Sequence, residues 1–157
     1  MTKITKVVRL KITQPIYPTS DWKEFNKIMK KLSEEVRIAS NKIIAYCNYY
    51  YCSEVFGEEH NKEDKQRRGR ILYDIAKTNC PSLYSYNFNS ISSDISKLYF
   101  NGNNSYVKKI NSGEGNPPMG YKKDGPIPIA EKKCFKIEKI GNYYNFSCNL
   151  FSKNYQK

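Results

Sequence analysis

Between Ile4 and Ile12 apolar and polar positions alternate, with Ile4, Val8, Leu10 and Ile12 on one face and Thr5, Val7, Arg9 and Lys11 on the other. A period of two predicts a strand with one buried side and a partly basic outer side. Pro15 and Pro18 end it. The period then changes. Asp21 and Glu24 have the spacing of a capping box, with aspartate in place of the usual hydroxyl residue. Phe25, Ile28, Met29, Leu32, Val36, Ala39, Ile43, Tyr46, Cys47 and Tyr50 follow at helical spacing. This predicts a long helix from Asp21 to about Phe56, stopped by Gly57. A second helix is predicted over about Lys62 to Thr78, with Ile71, Leu72, Ile75 and Ala76 inward. Cys80-Pro81 breaks it, and Tyr84 and Tyr86 are expected in the linker. A third helix is predicted over about Asn89 to Phe100, with Ile91, Ile95 and Leu98 inward, ending at Asn101-Gly102. Cys134 to Ile140 and Tyr143 to Phe151 read as strands around a Gly141-Asn142 hairpin turn, with Tyr144, Phe146, Cys148 and Leu150 on one face.

The stretch from Gly113 to Ile129 separates the helical part from the hairpin. It holds four of the eight glycines and four of the seven prolines, so it can be neither helix nor central strand. At its centre Tyr121, Lys122 and Lys123 put an aromatic beside two cations on a segment that must run over the surface. Two strands alone are marginal, so the first strand is expected to pair with the hairpin. The predicted fold class is α+β: a small β-barrel-like module (residues 1–20 and 129–157) interrupted by an inserted helical bundle (21–112), with residues 113–128 as the return joint.

Charge sharpens this picture. The net charge of +12 in 157 residues argues for a polyanionic partner, and it is unevenly placed. Residues 1–20 carry +4, 21–60 carry −1, 61–80 carry +3, 81–104 are neutral and 105–157 carry +6. Within the second helix Arg67, Arg68 and Arg70 form a compact cluster suited to phosphate oxygens, with Lys65 upstream. Lys108 and Lys109 lead into the return joint. The 14 tyrosines offer stacking faces with polar tips.

Catalytic chemistry finds little to stand on. His60 is the single histidine and lies in a charged loop. Glu34-Glu35 and Glu58-Glu59 are adjacent pairs that would diverge on a helix. The Gly113 stretch lacks the closing Gly-Lys-Ser/Thr of a phosphate loop. Cys47, Cys52, Cys80, Cys134 and Cys148 are odd in number and irregular in spacing, matching neither a disulfide framework nor a standard zinc site. The expectation is a protein that is not an enzyme, with no metal and no cofactor. No signal-peptide core and no membrane-length apolar run is read in the sequence, so a cytoplasmic location with no membrane partner is expected.

Several of these segments, taken in order, resemble a known family. Lys-Val-Val-Arg-Leu-Lys-Ile-Thr-Gln-Pro, then Asp-Trp-Lys-Glu-Phe and a long helix with Ala39-Ser40-Asn41-Lys42, looks like the N-terminal part of the miniature type V-F CRISPR effectors. These are compact RNA-guided nucleases related to TnpB proteins. Gly120-Tyr-Lys-Lys-Asp-Gly-Pro-Ile-Pro-Ile and a hairpin closing in Asn149-Leu-Phe-Ser-Lys extend the resemblance over nearly the whole chain. The resemblance implies a wedge domain with a helical recognition domain inserted after its first strand. It further implies contacts with guide RNA and with double-stranded DNA bearing a short flanking motif. By position, Arg9, Lys11, Tyr121, Lys122 and Lys123 are the implied nucleic-acid contacts. Phe25, Ile28, Met29, Leu32, Val36, Tyr46 and Tyr50 are the implied self-association or partner surface. The family's RuvC-like domain and zinc ribbon would lie beyond residue 157, so the chain is not expected to cut DNA unaided.

Two functions follow. One is a nucleic-acid-binding module derived from such an effector. The other is an anti-CRISPR-like inhibitor or regulatory subunit that pairs with a full-length effector, or sequesters its guide RNA.

Overall fold

A computed structural model describes residues 13–16, 18–51, 62–100, 106–114, 120–130 and 135–152. The predicted first strand (4–12), Gly57, His60, Cys52 and Cys134 lie outside the described residues.

Helix α1 spans Trp22–Tyr51. Asp21 caps it, accepting the backbone N–H groups of Lys23 and Glu24 at 3.1 and 3.2 Å. The reciprocal arm of the predicted box is replaced: the Asp21 N–H donates to Thr19 Oγ1 at 3.1 Å, because Thr19 sits two residues upstream with its hydroxyl already in reach. Helix α2 spans Lys62–Asn79 and α3 spans Ser85–Phe100. A short helix, α4, covers Tyr106–Asn111.

The core forms where these helices meet. From α1 come Leu32, Val36, Ala39, Ile43, Ile44 and Cys47, from α2 Leu72 and Ala76, and from α3 Phe88, Ile91, Ile95 and Tyr99. Spacings of three and four place each set on one stripe. Leu98, expected inward, is half exposed, and Tyr99 takes the interior position, its hydroxyl donating to Asn48 Oδ1 at 2.6 Å. Ile71 and Ile75 flank the buried stripe of α2 rather than forming it.

Helix α3 begins four residues before the predicted Asn89 and takes in Tyr86. The reason is tertiary. Leu83 forms an antiparallel bridge with Phe151, Tyr84 N–H donates to Leu150 O and Ser152 N–H donates to Ser82 O, each at 2.9 Å. The Glu35 carboxylate accepts both the backbone N–H (3.0 Å) and the hydroxyl (2.7 Å) of Ser82. Residues 82–84 are thereby fixed before the helix starts.

Strands β1 (Phe135–Ile140) and β2 (Tyr143–Cys148) form a two-stranded antiparallel sheet, with Phe135 opposite Cys148 and Ile140 opposite Tyr143. Gly141 has φ of 60° and Asn142 is not left-handed, which is the two-residue turn with glycine first. β2 ends three residues short of the predicted Phe151, because Leu150 and Phe151 leave the sheet to enter the helical core. The architecture is mixed helix and strand; among the described residues the sheet has two strands and closes no barrel. No helix among them is long and apolar enough to cross a membrane.

Candidate nucleic-acid interface

The return joint is a packed segment. From Gly120 to Ala130 it runs along α1 and then onto α3, held by side chains of the helices at three points. Asn41 of α1 grips the peptide groups around Tyr121 from both sides: its Oδ1 accepts the Tyr121 N–H at 2.6 Å and its Nδ2 donates to the Tyr121 carbonyl at 3.2 Å. Ser33, eight residues back along the same helix, donates its hydroxyl to Gly125 O at 2.8 Å. On α3 the fully buried Asn87 accepts the Ala130 N–H at 3.0 Å and donates to Asn149 O at 2.8 Å, tying the joint to the chain after β2. Ile127 and Ile129 pack against the core between these points. A buried amide that meets both its donor and acceptor needs is a stable anchor.

Gly120 has φ of 96°, and a Cβ there would lie 2.8 Å from Asn41 Oδ1. Only glycine allows this approach. Asp124 also takes a left-handed conformation, φ 56°, and turns the chain between the Asn41 and Ser33 contacts.

The result is an exposed turn carrying Tyr121, Lys122 and Lys123. Partial burial raises the Tyr121 phenol pKa above its ordinary value, with the Asp94 carboxylate and the Tyr106 phenol adding to the effect. Tyr121 therefore lies near α3 and α4, and α4 also carries Lys108 and Lys109. Tyr106 packs its ring 5.7 Å from that of Tyr99. Beside the turn, Arg37 donates to both oxygens of Glu34 (2.8 and 2.6 Å) and holds that carboxyl below the usual range, with Lys123 acting in the same direction. The structure thus gathers Tyr121, Lys122, Lys123 and α4 into one neighbourhood.

It divides the arginine cluster. Arg68 is 7% exposed, with its guanidinium 3.6 Å from the centre of the Phe100 ring. Arg67 and Arg70 are exposed, and Arg70 approaches Asp74 at 4.0 Å. Each residue turns a helix by about 100°, so 68, 72 and 76 fall on the buried stripe while 67 and 70 point away. Arg68 packs the helical unit and is not available to a phosphate.

The proposed partner surface on α1 also changes meaning. Leu32 and Val36 are 1% and 5% exposed and belong to the core. Phe25, Ile28, Met29 and Tyr46 are partly covered, and the Tyr50 side chain lies outside what is described. Arg9 and Lys11 lie outside the described residues. Cys47 and Cys80 are buried, in no disulfide, and Cys148 is half-buried; burial, then the nearby Glu35 carboxylate, pushes Cys80 up to about 12. Among the described residues no three His, Cys, Asp or Glu side chains gather to hold a metal ion.

Asn41, Ser33, Asn87 and Gly120 shape this site without having been singled out from the sequence as site residues. The signal present in the sequence was that Asn41 and Gly120 fall inside two of the segments that carry the family resemblance; Ser33 and Asn87 had none.

No protein-family model matches the chain, and no curated protein matches it.

Proposed function

We propose that this chain is a nucleic-acid-binding module that acts by binding rather than by catalysis, organised like the wedge and recognition region of a miniature type V effector. Its ligand on this reading is guide-type RNA or duplex DNA. The observation that carries it is the turn at Tyr121-Lys122-Lys123, exposed, cationic and fixed to α1 through Asn41, with the lysines of α4 nearby. Cations held in place on a folded surface neutralise phosphates at little ordering cost. The barrel-like form of the wedge belongs to the same proposal. One face of the hairpin, with Phe135, Ile137, Tyr144 and Phe146, stands exposed, and further strands over it are what a barrel would supply.

The test is fluorescence anisotropy of labelled structured RNA and duplex DNA with the full chain and with a Lys122→Glu/Lys123→Glu variant. Binding by the parent and its loss by more than tenfold in the variant is the expected result. Unchanged affinity would remove the joint from the interface. A chain that binds neither ligand would leave a protein-directed role instead.

A further inference from the structure

We propose that Tyr121 is a pre-set stacking platform for unpaired bases, held in position by Asn41, so that this site takes single-stranded nucleic acid in preference to duplex. The inference rests on the nucleic-acid-binding reading and narrows it.

The geometry centres on Tyr121. Both peptide groups flanking it are hydrogen-bonded to a single side chain, Asn41. The residue before it is a left-handed glycine whose missing Cβ makes room for that amide. Downstream, the Ser33 bond to Gly125 O closes the turn, so residues 121–125 are clamped at both ends. The conformational freedom that a flexible loop would lose on binding is therefore already lost here. Tyr121 as a residue is 39% exposed, and among the described residues no ring pair includes it. Lys122 follows directly and has no carboxylate within ion-pairing distance among the described residues.

An aromatic face flanked by lysines suits a strand whose bases are free. A base inside a duplex has both faces occupied by its neighbours and offers only its edges. An unpaired base offers a π-face to the tyrosine while the adjoining phosphates meet the lysines. Asn41 touches no ligand in this scheme and acts as a positioning residue.

The experiment uses the full chain, with fluorescein-labelled oligouridine of about 12 nucleotides and an RNA duplex of the same length as probes. Affinity is measured over a salt series for the parent, Tyr121→Ala, Tyr121→Phe and Asn41→Ala, with melting curves to confirm that each variant is folded. The expected result is tighter binding of the single strand by the parent. Tyr121→Ala should weaken single-strand binding by about 5- to 100-fold and duplex binding by clearly less, while Tyr121→Phe stays within about twofold. Asn41→Ala should lower the single-strand to duplex ratio without altering the salt slope, since the lysines remain. Equal loss for both probes in Tyr121→Ala, or no loss for the single strand, overturns the stacking role while leaving nucleic-acid binding in place. If the parent binds neither probe, the broader reading falls and this one with it.

Discussion

Asn41 gives the clearest lesson at the scale of a residue. It lies on a helix, 80 positions from the peptide it holds, and supplies one donor and one acceptor to a segment with no regular partner. Gly120 is its counterpart. Replacing Gly120 with alanine adds a Cβ against the Asn41 amide and forces a non-glycine residue to φ of 96°; backbone strain of this kind costs about 1–3 kcal/mol. A melting temperature equal to that of the parent would show that the joint does not pack as described. Cys80 makes a prediction in pH. Its folded value, raised to about 12 from 9.0, means that the neutral thiol is favoured inside the fold. The folded state binds the proton more tightly, so this contribution is fully present below about pH 9 and is lost as the pH climbs toward 12. Cys80→Ala should flatten the alkaline fall in stability over that window. At pH 8 Cys80 should react with iodoacetamide only on unfolding, which mass spectrometry of the native protein can check.

At the scale of the element, α1 and the hairpin behave oppositely. Helix α1 spends its stripe on the chain's own core, and Leu32 is the test. Leu32→Ala removes a side chain that is 1% exposed, and truncations of this kind cost about 2–5 kcal/mol. The expected outcome is a lowered melting point at unchanged oligomeric state; a dimer dissociating at unchanged stability would instead restore α1 as an interface. The hairpin has an ordered register but little to pack on. Phe146 is 40% exposed whereas Phe151, five residues on, is 8% exposed. Phe151→Ala should therefore destabilise strongly and Phe146→Ala by less than about 1 kcal/mol, as for surface positions. Comparing the two by chemical denaturation separates the part of the β-segment that belongs to the core from the part that stands outside it. The Lys136–Glu138 ion pair on the polar face is exposed and adds little.

At the scale of the whole molecule the joint and the residues after β2 are sewn into the helices by few, well-placed bonds. Asn87 alone joins α3, the end of the joint and the residues after β2. The net charge of +12 acts over this body and sets how binding responds to salt. If Lys122 and Lys123 each meet a phosphate, the Lys122→Glu/Lys123→Glu variant should lose about 1.4–1.8 from the magnitude of the log–log salt slope. A slope unchanged by the variant would place the phosphates elsewhere.

Much of the helical framework was legible because helix formation leaves a local trace. The α1 stripe, the Asp21 cap, the α2 boundaries and the Gly141-Asn142 turn all depend on residues within a few positions of one another, and period, cap and turn chemistry read them directly. The early start of α3 and the departure of Leu150 and Phe151 from β2 were not legible, since both follow from the Leu83–Phe151 bridge between distant segments. The cationic turn was visible as composition, but its anchoring was not. Sequence counts arginines by adjacency, whereas a helix sorts them by rotation, and so Arg68 left the site for the core. Sequence alone determined the stripes of α1 and α2, the Asp21 cap, the Gly141-Asn142 turn and how the charge is distributed, because those are short-range consequences of side-chain type. Only the tertiary structure decided that the joint lies on α1 and that one asparagine holds the peptide groups of Tyr121, because a hydrogen bond across 80 residues is selected by packing and leaves no periodic mark in the chain.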